Sequence, residues 1–189
     1  ESLEAKLPSL AGAKLVTPRS YRWPSFLMPG NLLNVTNQIV VIAILAIGMT
    51  MVILTGGIDL SVGSLVALSA VVAALLIRDL AGAEAASSAG MVLGCLAGIA
   101  VCGLIGLFSG VMITWFKIPP FVVTLAMMLV ASGLAYILAA GQSIYQVPDT
   151  FIWLGRGTDL LGIPNAVVLM IVLYAAAHVM MTRMTLGRY

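Results

Sequence analysis

One acidic residue, Asp59, lies in a glycine-containing segment between two apolar stretches, where its carboxylate would be close to hydrocarbon. The segment reads Thr55-Gly56-Gly57-Ile58-Asp59-Leu60-Ser61. A carboxylate in such a place is costly unless it is paired, hydrated or capping a helix, and it marks a functional site by default. Interrupted helices also present unpaired backbone N–H groups and dipole charge to a cavity. We therefore predict a translocation or gating element made of Thr55, Gly56, Gly57, Asp59, Ser61 and Ser64.

The same residues also fit a structural role. Asp59 or Ser61 would cap the helix that follows the break, because a side-chain oxygen accepts bonds from the free N–H groups of the first turn. Gly56 or Gly57 would be the left-handed residue that ends the preceding helix. Capping and a role in transport are compatible, and the spacing of the residues leaves both open.

The other reactive side chains indicate no enzyme, no metal and no cofactor. His178 is the only histidine, and a proton relay would need a second histidine or a carboxylate beside it. Cys95 and Cys102 are seven residues apart, about 10.5 Å along a helix, which is too far for a disulfide. No cluster of His, Cys, Asp or Glu has the spacing of metal ligands. No glycine-rich loop ends in Gly-Lys-Ser/Thr, so the sequence has no ATP-binding P-loop, and the sequence gives no argument for a Ser–His–Asp catalytic triad.

The composition is that of a membrane protein. The chain has 189 residues, of which 61% are hydrophobic and 8% charged, and its mean hydropathy is +1.13. So little polar surface could not cover a soluble fold of this size, and disorder requires the opposite composition. The net charge of +2 gives no argument for nucleic-acid binding.

Uncharged apolar stretches predict an all-α polytopic membrane protein with about five transmembrane helices and one break at the Gly-Gly-Ile-Asp segment. A helix of about 20 residues crosses a bilayer core about 30 Å thick. Residues 1–33 are charged, proline-containing and predicted to be an interfacial or aqueous lead-in, and Asn34 is a candidate N-cap. Residues 34–189 then form part of one transmembrane domain, with spans at about 34–54, 61–77, 90–116, 121–140 and 165–182.

Glycines recur within the third span at intervals of four. Small residues at that spacing form a flat stripe that lets another helix approach closely. We expect helix packing at Gly90, Gly94, Gly98, Gly106 and Gly110.

Charge in the loops predicts the orientation. Cytoplasmic loops are richer in Lys and Arg, which places Lys117 and Arg183 inside and the loops at 78–89 and 141–164 outside. The Asp59 segment then lies on the inner side. The lead-in would lie outside despite its basic residues, so we expect an upstream span and a chain that is a fragment.

Four motifs make the chain resemble a known family. It reads AIGMTMVILTGGIDLSVGS at 46–64, PPFVVTL at 119–125 and TLGRY at 185–189, with NLLN at 31–34. These motifs are similar to those of the ribose/xylose/galactose-type permease subunits of bacterial ABC sugar importers. The chain departs from the family at Ser109, where Asn is common, and at Ala126, where Gly is common.

The resemblance implies a non-catalytic, multi-pass subunit of the bacterial inner membrane that contributes to the path of a monosaccharide. The partners it implies are a second permease subunit, cytoplasmic ATP-binding subunits, a periplasmic sugar-binding protein and membrane lipid. It also implies further spans, and an ATPase-coupling region beyond Tyr189. The alternative function is an ion-coupled secondary transporter, in which Asp59 would carry the coupling proton.

Overall fold

The computed structural model describes residues 26–157 and 162–184, and its regular elements there are all helices. Five of these helices are long and apolar enough to cross a membrane, so the predicted all-α polytopic fold is confirmed. In chain order the helices are α1 (Pro29–Leu54), α2 (Val62–Asp79), α3 (Ser88–Thr114), α4 (Pro120–Leu138), α5 (Asp149–Arg156) and α6 (Asn165–Arg183), with a 3₁₀ turn at Ala83–Ala85.

Each expected span overlaps one long helix, and the ends differ by a few residues. The short helix α5 was not anticipated, because it lies inside the stretch 141–164 that was expected to be a loop. Residues 1–25 of the lead-in and the closing motif at 185–189 lie outside the described residues.

Helix α1 begins five residues before its expected start. Pro29 is its first residue, a position that suits proline because the missing N–H has no intrahelical partner there. Asn31 donates a 2.9 Å hydrogen bond from its amide to the carbonyl oxygen of Phe26. Asn34 is therefore inside the helix and not its N-cap, since the polar residues that resembled a boundary belong to the first turns.

Helices α2 and α3 are antiparallel and in close contact. A Cβ atom at Gly94 would lie 3.1 Å from the carbonyl oxygen of Ala73, and one at Gly98 would lie 2.7 Å from that of Ser69. A later residue of α3 thus contacts an earlier residue of α2, which shows that the two helices run in opposite directions. Glycine lets the two backbones approach this closely, as is typical of helix pairs in membranes.

Helix α4 packs beside α2 and runs parallel to it. Leu68 of α2 and Ala131 of α4 are completely buried and form the centre of the core with Ala135. Val101 and Ile105 of α3 pack against this centre. The three helices α2, α3 and α4 therefore share one apolar core.

Large apolar side chains cover the outer faces of the long helices. Leu93 and Leu104 of α3 are 65% exposed, and Ile137 of α4 is 72% exposed. In water such a surface would aggregate, whereas in a bilayer it matches the hydrocarbon. The surface thus agrees with the membrane location that the composition predicts.

Polar contacts mark the ends of α2 and α3. Arg78 and Asp79 form an ion pair at 2.6 Å, and the hydroxyl of Ser87 accepts a 3.2 Å hydrogen bond from the Gly90 amide. This N-cap satisfies one of the free donors at the start of α3. Both contacts are typical of helix ends that emerge from hydrocarbon into water.

Candidate functional site at the break between α1 and α2

The end of α1 is closed by the two glycines. The amide of Gly56 donates to the carbonyl oxygen of Ile53 at 2.9 Å, and the amide of Gly57 donates to that of Val52 at 3.0 Å. Gly56 has a φ of +71°. These two bonds around a left-handed glycine make a Schellman motif, so this part of the capping interpretation agrees with the geometry.

Asp59 organises the turn that leads into α2. Its Oδ1 atom accepts a 2.8 Å hydrogen bond from the backbone amide of Ser61 and a 2.6 Å bond from the Ser61 hydroxyl. Ser61 occupies the N-cap position of α2, but its side chain makes no capping bond. The carboxylate therefore fixes the turn from two residues before the N-cap, as an Asx-type turn does.

The break is genuinely non-helical and only partly shielded. Residues 57–61 have no helical structure between the end of α1 and the start of α2. Ser61 and Ser64 are buried, whereas Asp59 is intermediate in exposure and Thr55 is exposed. The carboxylate is thus accessible, and the serines beside it are held inside the protein.

Thr124 connects α4 to this break. Its hydroxyl lies 3.2 Å from the carbonyl oxygen of Ile58 and 2.9 Å from that of Pro120 in its own helix. The carbonyl oxygen of Phe121, at 3.4 Å, is a third and more distant acceptor, and the single hydroxyl hydrogen is shared among these groups. Thr124 is 4% exposed, so the contact is shielded from lipid and water.

Two further hydrogen bonds join α2 to its neighbours one turn along. The hydroxyl of Ser132 donates to that of Ser64 at 3.0 Å. The thiol of Cys102 donates to the carbonyl oxygen of Leu65 at 3.3 Å. Sequence reasoning missed Thr124 and Ser132, and considered Cys102 only as a disulfide partner, because each of their hydrogen-bond partners is remote in the chain and no local spacing indicates it.

Ser109 has a buried hydroxyl with no hydrogen-bond partner among the described residues. It is two helical turns beyond Cys102 on α3, about 10.5 Å along the axis. The antiparallel register of α2 and α3 therefore places it near the level of the Asp59 turn.

The glycines of α3 divide into two groups. A Cβ at Gly90 would lie 2.6 Å from that of Ala81, and Gly94 and Gly98 approach α2 as described. Gly106 and Gly110 have no such neighbour within 4 Å. The structure therefore brings Gly94 and Gly98 against α2, brings Gly90 against Ala81 just beyond the end of α2, and leaves space beside Gly106 and Gly110.

Little else in the described residues offers polar chemistry. No group of three or more His, Cys, Asp or Glu among the described residues could hold a metal ion, and His178 is exposed on α6. A groove of about 320 Å³ between α1 and α6 is lined by apolar side chains such as Ile47 and Leu173. A sugar requires hydrogen-bonding groups, so the groove is unsuited to one.

Comparison with known proteins decides the family. Residues 31–189 match the family described as the branched-chain amino acid transport system permease component. The chain belongs to this permease family. Its described residues include five helices that could cross a membrane, and it is a multi-pass protein of the inner membrane. Permeases of this kind are non-catalytic membrane components.

Curated relatives of this permease carry sugar names. It is 38% identical over 170 residues to the ribose import permease protein RbsC of Escherichia coli K12, covering 88% of this chain and 50% of the relative. The galactofuranose transporter permease protein YtfT of the same strain is 35% identical over 192 residues, covering 99% and 53%. The L-arabinose ABC transporter permease protein AraH of Azospirillum brasilense is 37% identical over 137 residues, covering 72% and 38%.

The permease chain spans about half the length of the ribose and galactofuranose relatives. No solved structure matches it.

Proposed function

We propose that this permease is a subunit of an ATP-driven monosaccharide importer and forms part of the sugar path. The observation that carries the proposal is the set of relatives, which are named as permeases for ribose, galactofuranose and L-arabinose. The family description refers to branched-chain amino acids, but the relatives that align over most of this chain are named for sugars. A monosaccharide is therefore the favoured substrate class.

The break between α1 and α2 is the proposed translocation or gating element. It comprises Thr55, Gly56, Gly57, Asp59, Ser61 and Ser64. Sugars are recognised by hydrogen bonds from carboxylates, hydroxyls and backbone groups. The Asp59 carboxylate is partly exposed beside a non-helical backbone, and such backbone is tolerated at membrane depth only where it is buried in protein or lines a water-filled cavity.

The partners follow from the importer class. We propose a second permease subunit, cytoplasmic ATP-binding subunits and a periplasmic sugar-binding protein. The permease performs no covalent chemistry. Its contribution is two alternative packings of helices, each favoured by a different bound state of the partners.

Ion coupling is the less favoured alternative. A coupling site would need an acid whose proton is exchanged as the transporter turns over. Asp59 instead accepts two hydrogen bonds from Ser61 through one oxygen, which ties its side chain to the turn that leads into α2. The family and the sugar-named relatives also favour an importer permease over a secondary transporter.

Reconstitution in liposomes tests the proposal. The permease is expressed from its complete gene with the neighbouring ATP-binding and sugar-binding proteins, and uptake of labelled ribose, arabinose and leucine is measured. We expect uptake of a sugar that requires internal ATP and the binding protein and survives a proton ionophore. Uptake abolished by the ionophore and independent of ATP would support ion coupling, and uptake of leucine alone would overturn the sugar assignment.

A further inference from the structure

Hydrogen bonds fasten α2 to both of its neighbours near the break. Two hydroxyls of α4 donate hydrogen bonds, one to the backbone just before α2 and one to a side chain in the first turn of α2. A thiol of α3 donates a third bond, to a backbone carbonyl oxygen in the same turn. The donors are Thr124, Ser132 and Cys102, and their acceptors are Ile58, Ser64 and Leu65. α2 is thereby attached to α3 and α4 at the same end at which it meets the break.

Packing opposes any sliding of these helices. The backbones of α2 and α3 are so close at Gly98 that a Cβ there would lie 2.7 Å from the Ser69 carbonyl oxygen. Leu68 and Ala131 are completely buried between α2 and α4. Close-packed interfaces of this kind have discrete arrangements and do not deform continuously.

The backbone before Asp59 is different. Gly56 has a φ of +71°, and a Cβ there would meet nothing within 4 Å. Thr55 is exposed, and its hydroxyl bonds only the carbonyl oxygen of Val52 in its own helix. Among the described residues, a change of dihedral angles at Thr55 and Gly56 would break no hydrogen bond between helices.

We infer that α2, α3 and α4 move as one body during transport and that bending is confined to Thr55–Gly57. Thr124 and Ser132 are then positioning residues that keep the Asp59 turn attached to this body. The inference rests on the proposed transport function, and it assigns to Thr124 and Ser132 a role outside the predicted gating element. The carboxylate of Asp59 then moves with α4, not with α1.

A cross-link between α2 and α4 tests the one-body motion. The hydroxyls of Ser64 and Ser132 are 3.0 Å apart, so the paired variant Ser64→Cys/Ser132→Cys brings two thiols within reach of a disulfide. Cys95→Ser and Cys102→Ser remove the two native thiols of this sequence, and any further cysteine of the expressed permease is replaced in the same way. We expect the disulfide to form to the same extent in nucleotide-free, ATP-bound and vanadate-trapped complexes. We also expect the oxidised double variant to take up sugar within about twofold of the same variant after reduction, because a bond inside a rigid body restrains no motion.

The result that would overturn the inference is equally direct. Yields that differ by more than about threefold between nucleotide states, or loss of uptake that a reductant restores, would mean that α2 and α4 separate during the cycle. Each single-cysteine variant serves as the control for the substitutions themselves. The disulfide yields do not depend on which solute is carried. If the wild-type permease fails to import sugar, the proposed function is overturned, but the yields still test whether α2 and α4 move together.

Thr124 is tested by removing its hydroxyl without changing its shape. Thr124→Val is expected to lower the uptake rate about threefold, the effect of one interhelical hydrogen bond in a membrane protein, with unchanged membrane abundance and unchanged apparent affinity for the sugar-loaded binding protein. Thr124→Ser should restore the rate. Thr114→Val is the matched control, because the Thr114 hydroxyl bonds only the Gly110 carbonyl oxygen in its own helix, at 2.7 Å.

A purely structural role would give another pattern. If Thr124→Val lowers abundance and uptake in parallel, or if Thr124→Ser fails to restore the rate, the residue does not position the break. Equal losses in Thr114→Val and Thr124→Val would overturn the assignment as well.

Discussion

One oxygen of the Asp59 carboxylate accepts hydrogen bonds from both the amide and the hydroxyl of Ser61, at 2.8 and 2.6 Å. Ser61 is 2% exposed, so the carboxylate is the group that satisfies a buried hydroxyl. The two residues thereby fix the direction in which the chain enters α2. The same side chain holds this turn and is proposed to contribute to the sugar path, and substitutions at Asp59 separate the two roles.

Asp59→Ala should reduce sugar uptake by more than it reduces membrane abundance. It removes the one oxygen that accepts both Ser61 hydrogen bonds and leaves a buried hydroxyl unpaired, which should lower the free energy of unfolding by about 1–3 kcal/mol. Thermal unfolding in nanodiscs and uptake per permease molecule measure the two effects separately.

Asp59→Asn is the matched control, because an amide oxygen still accepts the bonds from Ser61 while the charge is lost. We expect thermal stability close to wild type and a clear loss of uptake. Wild-type uptake in Asp59→Asn would show that the carboxylate only caps the turn, and a parallel fall of uptake and abundance in Asp59→Ala would lead to the same conclusion.

Gly98→Ala should destabilise the packing of α2 against α3. The added Cβ would lie 2.7 Å from the Ser69 carbonyl oxygen, a backbone atom that cannot move away cheaply, and overpacking of this kind costs about 1–3 kcal/mol. Gly94→Leu should be more severe, since a Cβ at Gly94 already lies 2.9 Å from Cγ1 of Ile77. The midpoint of thermal unfolding in nanodiscs is the measurement.

Gly103→Ala on the same helix is the control for Gly98→Ala. A Cβ at Gly103 would have no neighbour within 4 Å, so this substitution should be neutral or stabilising by up to about 1 kcal/mol through helix propensity. Equal shifts in the two variants would mean that α2 and α3 do not approach each other at Gly98.

Gly56→Ala should destabilise the end of α1 by about 1–2 kcal/mol, because a residue with a Cβ is strained in the left-handed conformation. Gly56 has a φ of +71° with open space around it, so the penalty is conformational and not steric. Gly48→Ala, also in open space but within the helix, should be neutral or stabilising. Thermal unfolding distinguishes the two, and equal stability of both variants would contradict the left-handed cap.

Much of the fold is predictable from the sequence because each span is a long uncharged apolar run, and lipid leaves few alternatives to a helix there. The start of α1 is less predictable, since Asn31 and Asn34 resemble a polar boundary but lie within the helix. Helix α5 was missed because its eight residues mix Asp149, Gly155 and Arg156 with apolar side chains. A helix that short gives almost no periodic signal.

The site was predictable only where its contacts are local. The glycine cap and the Asp59–Ser61 turn join residues within a few positions, and spacing indicates such contacts. Thr124 bonds a carbonyl oxygen 66 residues away, and Ser132 bonds a hydroxyl 68 residues away. A backbone carbonyl has no sequence signature, and the pairing depends on the register of α2 against α4, which only tertiary packing sets.

Labelling from the two sides of the membrane should place the Asp59 turn near the cytoplasm. α3 has 27 residues, about 40 Å of helix, so the loop before it and the turn after it lie on opposite faces. The turn after it carries Lys117, and basic residues favour the inside. In a background without native cysteines, Lys117→Cys should react with an impermeant maleimide only in inside-out vesicles, and Glu84→Cys only in vesicles of the opposite orientation. The reverse pattern would place the carboxylate of Asp59 at the outer face of the membrane. There the carboxylate would meet sugar that the binding protein has just released, and not sugar that is about to enter the cytoplasm.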